Sequence, residues 1–139
     1  MKKAKSIKLT RKEQKIVDNI PSCATFRVTK TILTKNIQDC NSSLRQLLKD
    51  QEVVDMDELK AGQGIKVEGT FLDGSETIIS IYRSQSRGDK RIWFKGLKEY
   101  ADANDVMAMF FKDGKIVLQN VTKATMVALF VVTSSVGVL

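Results

Sequence analysis

Two stretches of the chain place strand-forming residues on both sides of an Asp-Gly pair. Residues 62–82 alternate hydrophobic and polar positions around the pair at 73–74, and residues 106–118 flank the pair at 113–114 with apolar runs. Alternation sends successive side chains to opposite faces of a strand, and Asp-Gly tolerates the positive φ angles of a tight turn. Both stretches are therefore predicted to be β-hairpins.

Three further segments have the composition of strands. Residues 24–34 are rich in β-branched side chains, and residues 91–94 form a short run that contains two aromatic residues. Residues 124–139 carry no charge and are rich in Val, Thr and Ser. A transmembrane helix needs about 20 residues, so this last segment is predicted to be the final strand or strands, with a short membrane anchor as the less favoured alternative.

Two capping patterns predict helices. Thr10 and Glu13 fit the capping box, in which each side chain bonds the backbone N–H of the other residue, and this helix would stop before Pro21. Ser43 and Gln46 repeat the pattern ahead of apolar positions with helical spacing, which are Leu44, Leu47 and Leu48. A further short helical stretch is predicted after Gly96. The pattern thus predicts six or seven strands, joined by hairpins and short connections, with two short helices between strands. This arrangement favours an antiparallel barrel or sandwich.

The amino-acid composition excludes several kinds of catalytic and metal-binding site. The chain has 139 residues and 42% hydrophobic content, which suits one compact domain, and it contains no histidine. The absence of histidine removes Ser-His-Asp triads, Cys-His pairs and His-containing zinc sites. Two cysteines without a secretory signal are expected to be reduced thiols in a cytoplasmic protein. No glycine-rich phosphate loop is present, so neither a cofactor nor a metal is expected.

Charge is separated along the chain. The net charge is +7, and three segments are basic: residues 1–15, 27–49 and 83–98. Residues 50–82 instead contain eight acidic residues against two lysines. Such a separation can give one basic and one acidic face, and a polyanion is the natural partner of the basic face.

The segment from Arg83 to Arg91 is the strongest candidate site. It contains three arginines and a lysine separated by small polar residues and Gly88, and it lies between two predicted strands. Arginine can fork onto guanine in the major groove, while Ser, Gln and Lys contact base edges or phosphates. Trp93 and Phe94 follow it. A stacking role for single-stranded nucleic acid is possible for such a pair, but at least one of the two rings is expected in the core.

Two sequence stretches resemble a known family. Residues 81–96 contain an Ile-Tyr strand, a loop with arginine and lysine, and Lys-Arg-Ile beside Trp and Gly, and residues 105–118 add an apolar hairpin. This order is similar to the N-terminal effector-binding domain of the EcoRII restriction endonuclease and to plant B-three transcription-factor domains. The resemblance implies an α+β, mostly β fold, a seven-stranded open antiparallel pseudobarrel with two short helices. We expect residues 1–20 to form a basic arm with a short helix and residues 21–139 to form this pseudobarrel domain.

The resemblance also implies a function, which is sequence-specific binding of double-stranded DNA by two arms that grip the major groove. Its C-terminal arm would consist of Arg83, Ser86, Arg87, Lys90 and Arg91. The N-terminal arm would lie within residues 30–41, where chemistry alone selects Lys30, Lys35 and Asn36. The chain has a shorter loop before Lys90 than the restriction enzyme and lacks its N-arm histidine. In type II restriction enzymes such a recognition domain precedes a catalytic nuclease domain, which would be a partner outside this chain.

Two alternatives belong to other classes. A small Mg²⁺-dependent nuclease would pair Asp39 or Asp50 with Glu58 and Lys60, since such sites place an acid ahead of an Asp/Glu-x-Lys strand. A protein-interaction barrel would instead use the acidic residues 50–82 and leave the basic loops solvated.

Overall fold

One mixed β-sheet of six strands forms most of the fold. The computed structural model describes residues 7–124. The strands are β1 (Ala24–Arg27), β2 (Gly64–Phe71), β3 (Glu76–Arg83), β4 (Lys90–Phe94), β5 (Val106–Lys112) and β6 (Lys115–Asn120). The helices are α1 (Arg11–Asp18), α2 (Lys30–Lys35) and α3 (Ser42–Asp50), residues 121–124 are also helical, and single 3-10 turns occupy Met56–Glu58 and Leu97–Glu99.

The α+β, mostly β class is confirmed, and three details of the prediction are corrected. The described residues form a sheet of six strands, where seven were predicted, in the order β1-β5-β6-β2-β3-β4. They hold four helices, where two were predicted besides the one within residues 1–20. The sheet is also not wholly antiparallel. Both predicted hairpins form, but they join through a parallel pairing of β2 with β6, in which Gly69 faces Ile116.

The predicted strand over residues 24–34 is wrong beyond Arg27. Thr29 caps a helix instead: its hydroxyl oxygen accepts a hydrogen bond of 3.2 Å from the N–H of Ile32, and α2 follows. The side chain of Ile32 is 2% exposed. Strand propensity measures how well a side chain fits a sheet surface, so the cap and this burial together override it.

Helix α3 forms where the leucine spacing predicted it, but its cap differs. The Oδ1 atom of Asn41, rather than Ser43, accepts the 2.9 Å hydrogen bond from the N–H of Leu44. The predicted partner Gln46 donates to the carboxylate of Asp50 on the next turn instead. All three predicted leucines are buried. The cap moves because the amide nitrogen of Asn41 also bonds the carbonyl of Thr25 in β1, which a serine at 43 does not do.

Residues 38–41, the bridging segment, connect the two edge strands of the sheet. Main-chain bonds of 2.9 Å join the N–H of Ile92 to Gln38 and the N–H of Cys40 to Lys90, so the segment pairs with β4. At its other end Asn41 holds β1. The bridging segment contains an isolated bridge rather than a strand, and it occupies a place beside β4 where a seventh strand could pair.

Curling of the sheet brings its two edges together over one core. The rings of Phe26 in β1 and Phe94 in β4 stack with centroids 5.2 Å apart and planes within 5°. These strands stand at opposite ends of the strand order, so the contact defines a half-barrel. The largest wholly buried side chains fill its concave side: Phe26, Phe94, Ile32, Leu44, Leu48, Ile79, Ile81, Ile92, Met107, Met109, Leu118 and Val28.

Helix α1 covers part of the convex side. The predicted capping box is present, with reciprocal hydrogen bonds between Thr10 and Glu13. Ile16 and Val17 pack with Val106 and Ala108, the outward residues of β5. The short helix predicted within residues 1–20 therefore lies on the sheet. Residues 1–6 of that arm, and the predicted final strand beyond Ala124, lie outside the described residues.

None of the helices in residues 7–124 has the length and the apolar composition of a membrane-spanning segment.

The carboxylate of Glu13 links three elements. It accepts from the N–H of Thr10 at 2.9 Å and from the hydroxyl of Thr122 at 2.7 Å, and the same hydroxyl oxygen accepts from the N–H of Val106 at 2.8 Å. Burial opposes ionisation, but the hydrogen bonds from Thr10 and Thr122 outweigh it and lower the pKa of Glu13 below 4.5. The ionised form is therefore favoured by folding.

Replacing Glu13 with alanine is expected to lower the free energy of unfolding at neutral pH by about 2 kcal/mol. Because folding lowers the pKa of Glu13, its stabilisation is present above pH 4.5 and is lost as the pH falls through the folded-state value. Urea denaturation at several pH values would measure the difference, with the exposed Glu76→Ala as the control. A difference that stays constant into acid would contradict this role.

Candidate nucleic-acid interface

A compact turn joins β3 to β4. In residues 84–89, the arginine loop, the N–H of Ser84 bonds the carbonyl of Asp89 and the N–H of Gly88 bonds the carbonyl of Ser84, both at 2.8 Å. The hydroxyl of Ser84 accepts from the N–H of Asp89 at 2.9 Å. Gly88 has φ +70°, a conformation that suits glycine. These bonds hold the loop in one shape.

Arg83 fixes the arginine loop to the rest of the protein. Its Nε donates to the carbonyl of Gly88, and its Nη1 donates to the carbonyls of Met56 and Leu59 at 3.1 and 3.2 Å. The guanidinium thus joins the loop to the 3-10 turn at Met56–Glu58. The Nε and Nη1 atoms of Arg83, a predicted DNA contact, position the loop that carries the other candidates.

The tip of the loop is open to solvent. Ser86 and Arg87 are exposed, and neither side chain forms a hydrogen bond or ion pair with the described part of the chain. An arginine on a rigid turn keeps all five of its N–H donors for a ligand. Of the predicted C-terminal arm, these are the two residues whose side chains are fully available.

The last two residues of that arm have acidic neighbours. Lys90 forms an ion pair with Asp57, and this hydrogen bond and charge lower the pKa of Asp57. Arg91 contacts the carboxylate of Asp89 at 3.2 Å, and its Nε is buried without a partner among the described residues. Arg91 therefore retains donors that the chain leaves unpaired.

The predicted N-terminal arm contributes to a cleft on the convex side of the sheet. The cleft, of about 650 Å³, is called here the basic cleft, and eight residues line it: Lys35, Asn36, Gly64, Ile65, Lys66, Ser80, Tyr82 and Trp93. Two of these are lysines and none is acidic. Lys35 and Asn36 end α2 and form one wall. Lys30 starts α2, where it is exposed and does not line the cleft.

Strand register makes the basic cleft continuous with the arginine loop. Ser80 in β3 faces Lys66 in β2 and Trp93 in β4, and Tyr82 faces Arg91 one row closer to the loop. Alternation sends Phe94 into the core and Trp93 to the opposite face, which confirms that at least one of the two rings is in the core. The half-buried Trp93 packs at the edge of the core and lines the cleft.

Sequence reasoning missed five of the eight cleft residues, among them Lys66, Ser80 and Tyr82. Lys66 is a polar position in the alternating pattern of residues 62–82, and Ser80 and Tyr82 alternate with the buried Ile79 and Ile81, so the sequence indicates that all three side chains point outward. What the sequence did not reveal is the pairing of β3 between β2 and β4. That pairing brings the three residues beside the end of α2.

The other end of the same strands carries glutamates as well as lysines. A cavity of about 580 Å³, the acidic cavity, is lined by Glu68, Glu76 and Glu99 together with Lys95 and Lys115. Lys66 and Glu68 are neighbours on the outward side of β2. Along the outward side of β2 the charge therefore changes from positive at Lys66 to negative at Glu68.

The residues of the nuclease alternative lie on three different elements. Asp39 is in the bridging segment, Asp50 ends α3, and Glu58 is in a 3-10 turn rather than on the strand that this type of site requires. Across residues 7–124 no three acidic or cysteine side chains are grouped to hold a metal ion. The geometry gives this alternative no support.

No protein-family model, curated protein or solved structure matches the chain. The likeness to the EcoRII and plant domains therefore rests on residues 81–96 and 105–118 alone.

Proposed function

We propose that this protein binds double-stranded DNA sequence-specifically through the arginine loop and the adjoining basic cleft. The observation that carries the proposal is the exposed Arg87, which has no partner within residues 7–124 and stands at the tip of a turn that Arg83 and internal hydrogen bonds hold in place. An arginine fork reads guanine through two parallel hydrogen bonds in the major groove. A loop that is already ordered loses little entropy on binding, so more of the contact energy appears as affinity.

The remaining candidates have separate roles in this proposal. Ser86 contacts a base edge or phosphate beside Arg87. Lys90 and Arg91, which pair with Asp57 and Asp89 in the free protein, contact phosphates along the strand behind the loop. Lys35 and Asn36 approach the DNA from α2, and Lys30 supplies phosphate contacts at the start of that helix. Phosphate contacts fix the register of the protein on the duplex, and base contacts select the sequence.

The resemblance extends the proposal to the biological setting. We infer a recognition or effector domain of a type II restriction endonuclease, acting in the cytoplasm with a catalytic nuclease domain that is not part of this chain. In this reading the chain binds its site without cutting it, and the acidic cavity, at the opposite end of β2 and β3 from the arginine loop, remains available for another protein surface.

Replacing Arg87 with alanine is expected to weaken binding to the preferred duplex by about 10- to 100-fold and non-specific binding by much less. The preferred duplex would come from selection of a randomised library at two salt concentrations, and fluorescence anisotropy would measure affinity. Arg87→Lys keeps the charge but loses the planar fork, so it should lose nearly as much specificity.

Lys112→Ala is the matched control, because it removes one positive charge from an exposed position outside the loop and cleft. It should change both affinities slightly and equally. Equal losses of specific and non-specific binding in Arg87→Ala would make Arg87 a phosphate contact, and a library without any enriched sequence would overturn sequence-specific recognition.

A further inference from the structure

The basic cleft has the chemistry of a site for one nucleobase. Trp93 and Tyr82 supply aromatic surface, Ser80 supplies a hydroxyl, and Lys35 and Lys66 supply positive charge. Neither lysine side chain has a hydrogen-bond or ion-pair partner in the described part of the chain. Aromatic rings combined with unpaired positive charge are the elements that bind unpaired nucleotides, through stacking of the base and neutralisation of its phosphates.

Close packing of the strands keeps the aromatic rings in place. A Cβ atom on Gly64 would lie 2.5 Å from the Cβ of Tyr82 and 2.8 Å from the carbonyl oxygen of Ile81, so this position accepts no side chain without moving Tyr82. Trp93 is half-buried and packs against the core, and it also borders a second hollow formed with Ile32 and Leu33 of α2. Both aromatic residues therefore stand on paired strands of the sheet and not on a loop.

A paired base cannot use this wall. Bases inside a duplex are stacked on each other and present only their edges in the grooves, so the face of an indole is reached only by a base that has left the stack. We infer that the basic cleft binds a single unpaired nucleobase, next to the duplex that the arginine loop contacts. This inference rests on the proposed DNA-binding function and adds a second kind of contact to it.

Trp93 is the single tryptophan of the chain, so its fluorescence reports on the cleft directly. The probes are a mixed-sequence duplex with one unpaired adenine, the same duplex fully paired, and one of its strands alone. The unpaired adenine is expected to raise affinity by about 10-fold and to change the tryptophan fluorescence, whereas the paired duplex changes it little. If only the duplex with the unpaired adenine gains affinity, the ligand of the cleft is a base displaced from a double helix. If the single strand gains the same affinity, the ligand is single-stranded DNA.

Two variants test the residues. Lys66→Glu places a negative charge in the cleft at an exposed strand position and should abolish the higher affinity for the duplex with the unpaired adenine. Lys112→Glu makes the same change outside the cleft and should preserve that affinity. Equal affinity of the wild-type protein for paired and unpaired probes, with unchanged tryptophan fluorescence, would overturn the inference. Failure to bind the fully paired duplex would instead count against the proposed function, and the response to the unpaired adenine would still be readable.

Discussion

Replacing Phe94 with alanine is expected to lower the free energy of unfolding by about 4 kcal/mol, the usual cost of removing a wholly buried aromatic ring. The ring of Phe94 is 0% exposed and stacks on Phe26 across the two ends of the sheet. Its loss leaves a cavity and removes the contact that brings β4 and β1 together. Urea denaturation followed by circular dichroism would measure the change.

The control for this prediction is Leu72→Ala at the tip of the β2–β3 hairpin. Leu72 is 60% exposed, so its truncation should change stability by less than about 0.5 kcal/mol. A destabilisation of Phe94→Ala no larger than that of Leu72→Ala would show that the half-barrel is not closed over the Phe26–Phe94 pair.

Replacing Arg83 with alanine is expected to lower the free energy of unfolding by about 3 kcal/mol, because three carbonyl groups lose a charged donor at once. The arginine loop would also lose its attachment to the turn at Met56–Glu58. DNA binding should weaken as a consequence, although Arg83 contacts no DNA in our proposal. Lysine at this position cannot reproduce the fork, so Arg83→Lys should recover only part of the stability.

Arg87→Ala is the matched comparison on the same loop, since it should reduce specific binding while changing stability by less than about 0.5 kcal/mol. Comparison of the two variants distinguishes a residue that positions the loop from a residue that contacts DNA. If Arg83→Ala left stability unchanged and weakened binding as strongly as Arg87→Ala, then Arg83 would be a DNA contact and the loop would be held by its internal hydrogen bonds alone.

Features that depend on neighbouring residues were readable from the sequence. Both Asp-Gly hairpins, the Thr10–Glu13 capping box and the buried leucines of α3 formed as predicted. Each of these is decided within a few residues, by turn conformation, by side chain to backbone hydrogen bonds or by helical spacing. Local chemistry and the complete fold agree at these positions.

Features that depend on distant partners were not readable. The parallel pairing of β2 with β6 follows from how two hairpins meet, and no residue in either strand specifies it locally. Residues 30–35 have strand composition, yet they form a helix because Thr29 caps it and Ile32 is buried. In the candidate site, the sequence indicated the exposed Arg87 but gave no sign that Arg83 would bond Met56 and Leu59 from more than 20 positions away.

The bridging segment also affects how copies of this protein behave toward each other. An uncovered edge of a β-sheet offers a row of free N–H and C=O groups to which another chain can add a strand. Here the edge groups of β4 at Lys90 and Ile92 are already bonded to residues 38–40, and the opposite edge strand, β1, has only four residues. Both edges are thereby poor templates for strand addition, so the sheet is protected against edge-to-edge aggregation.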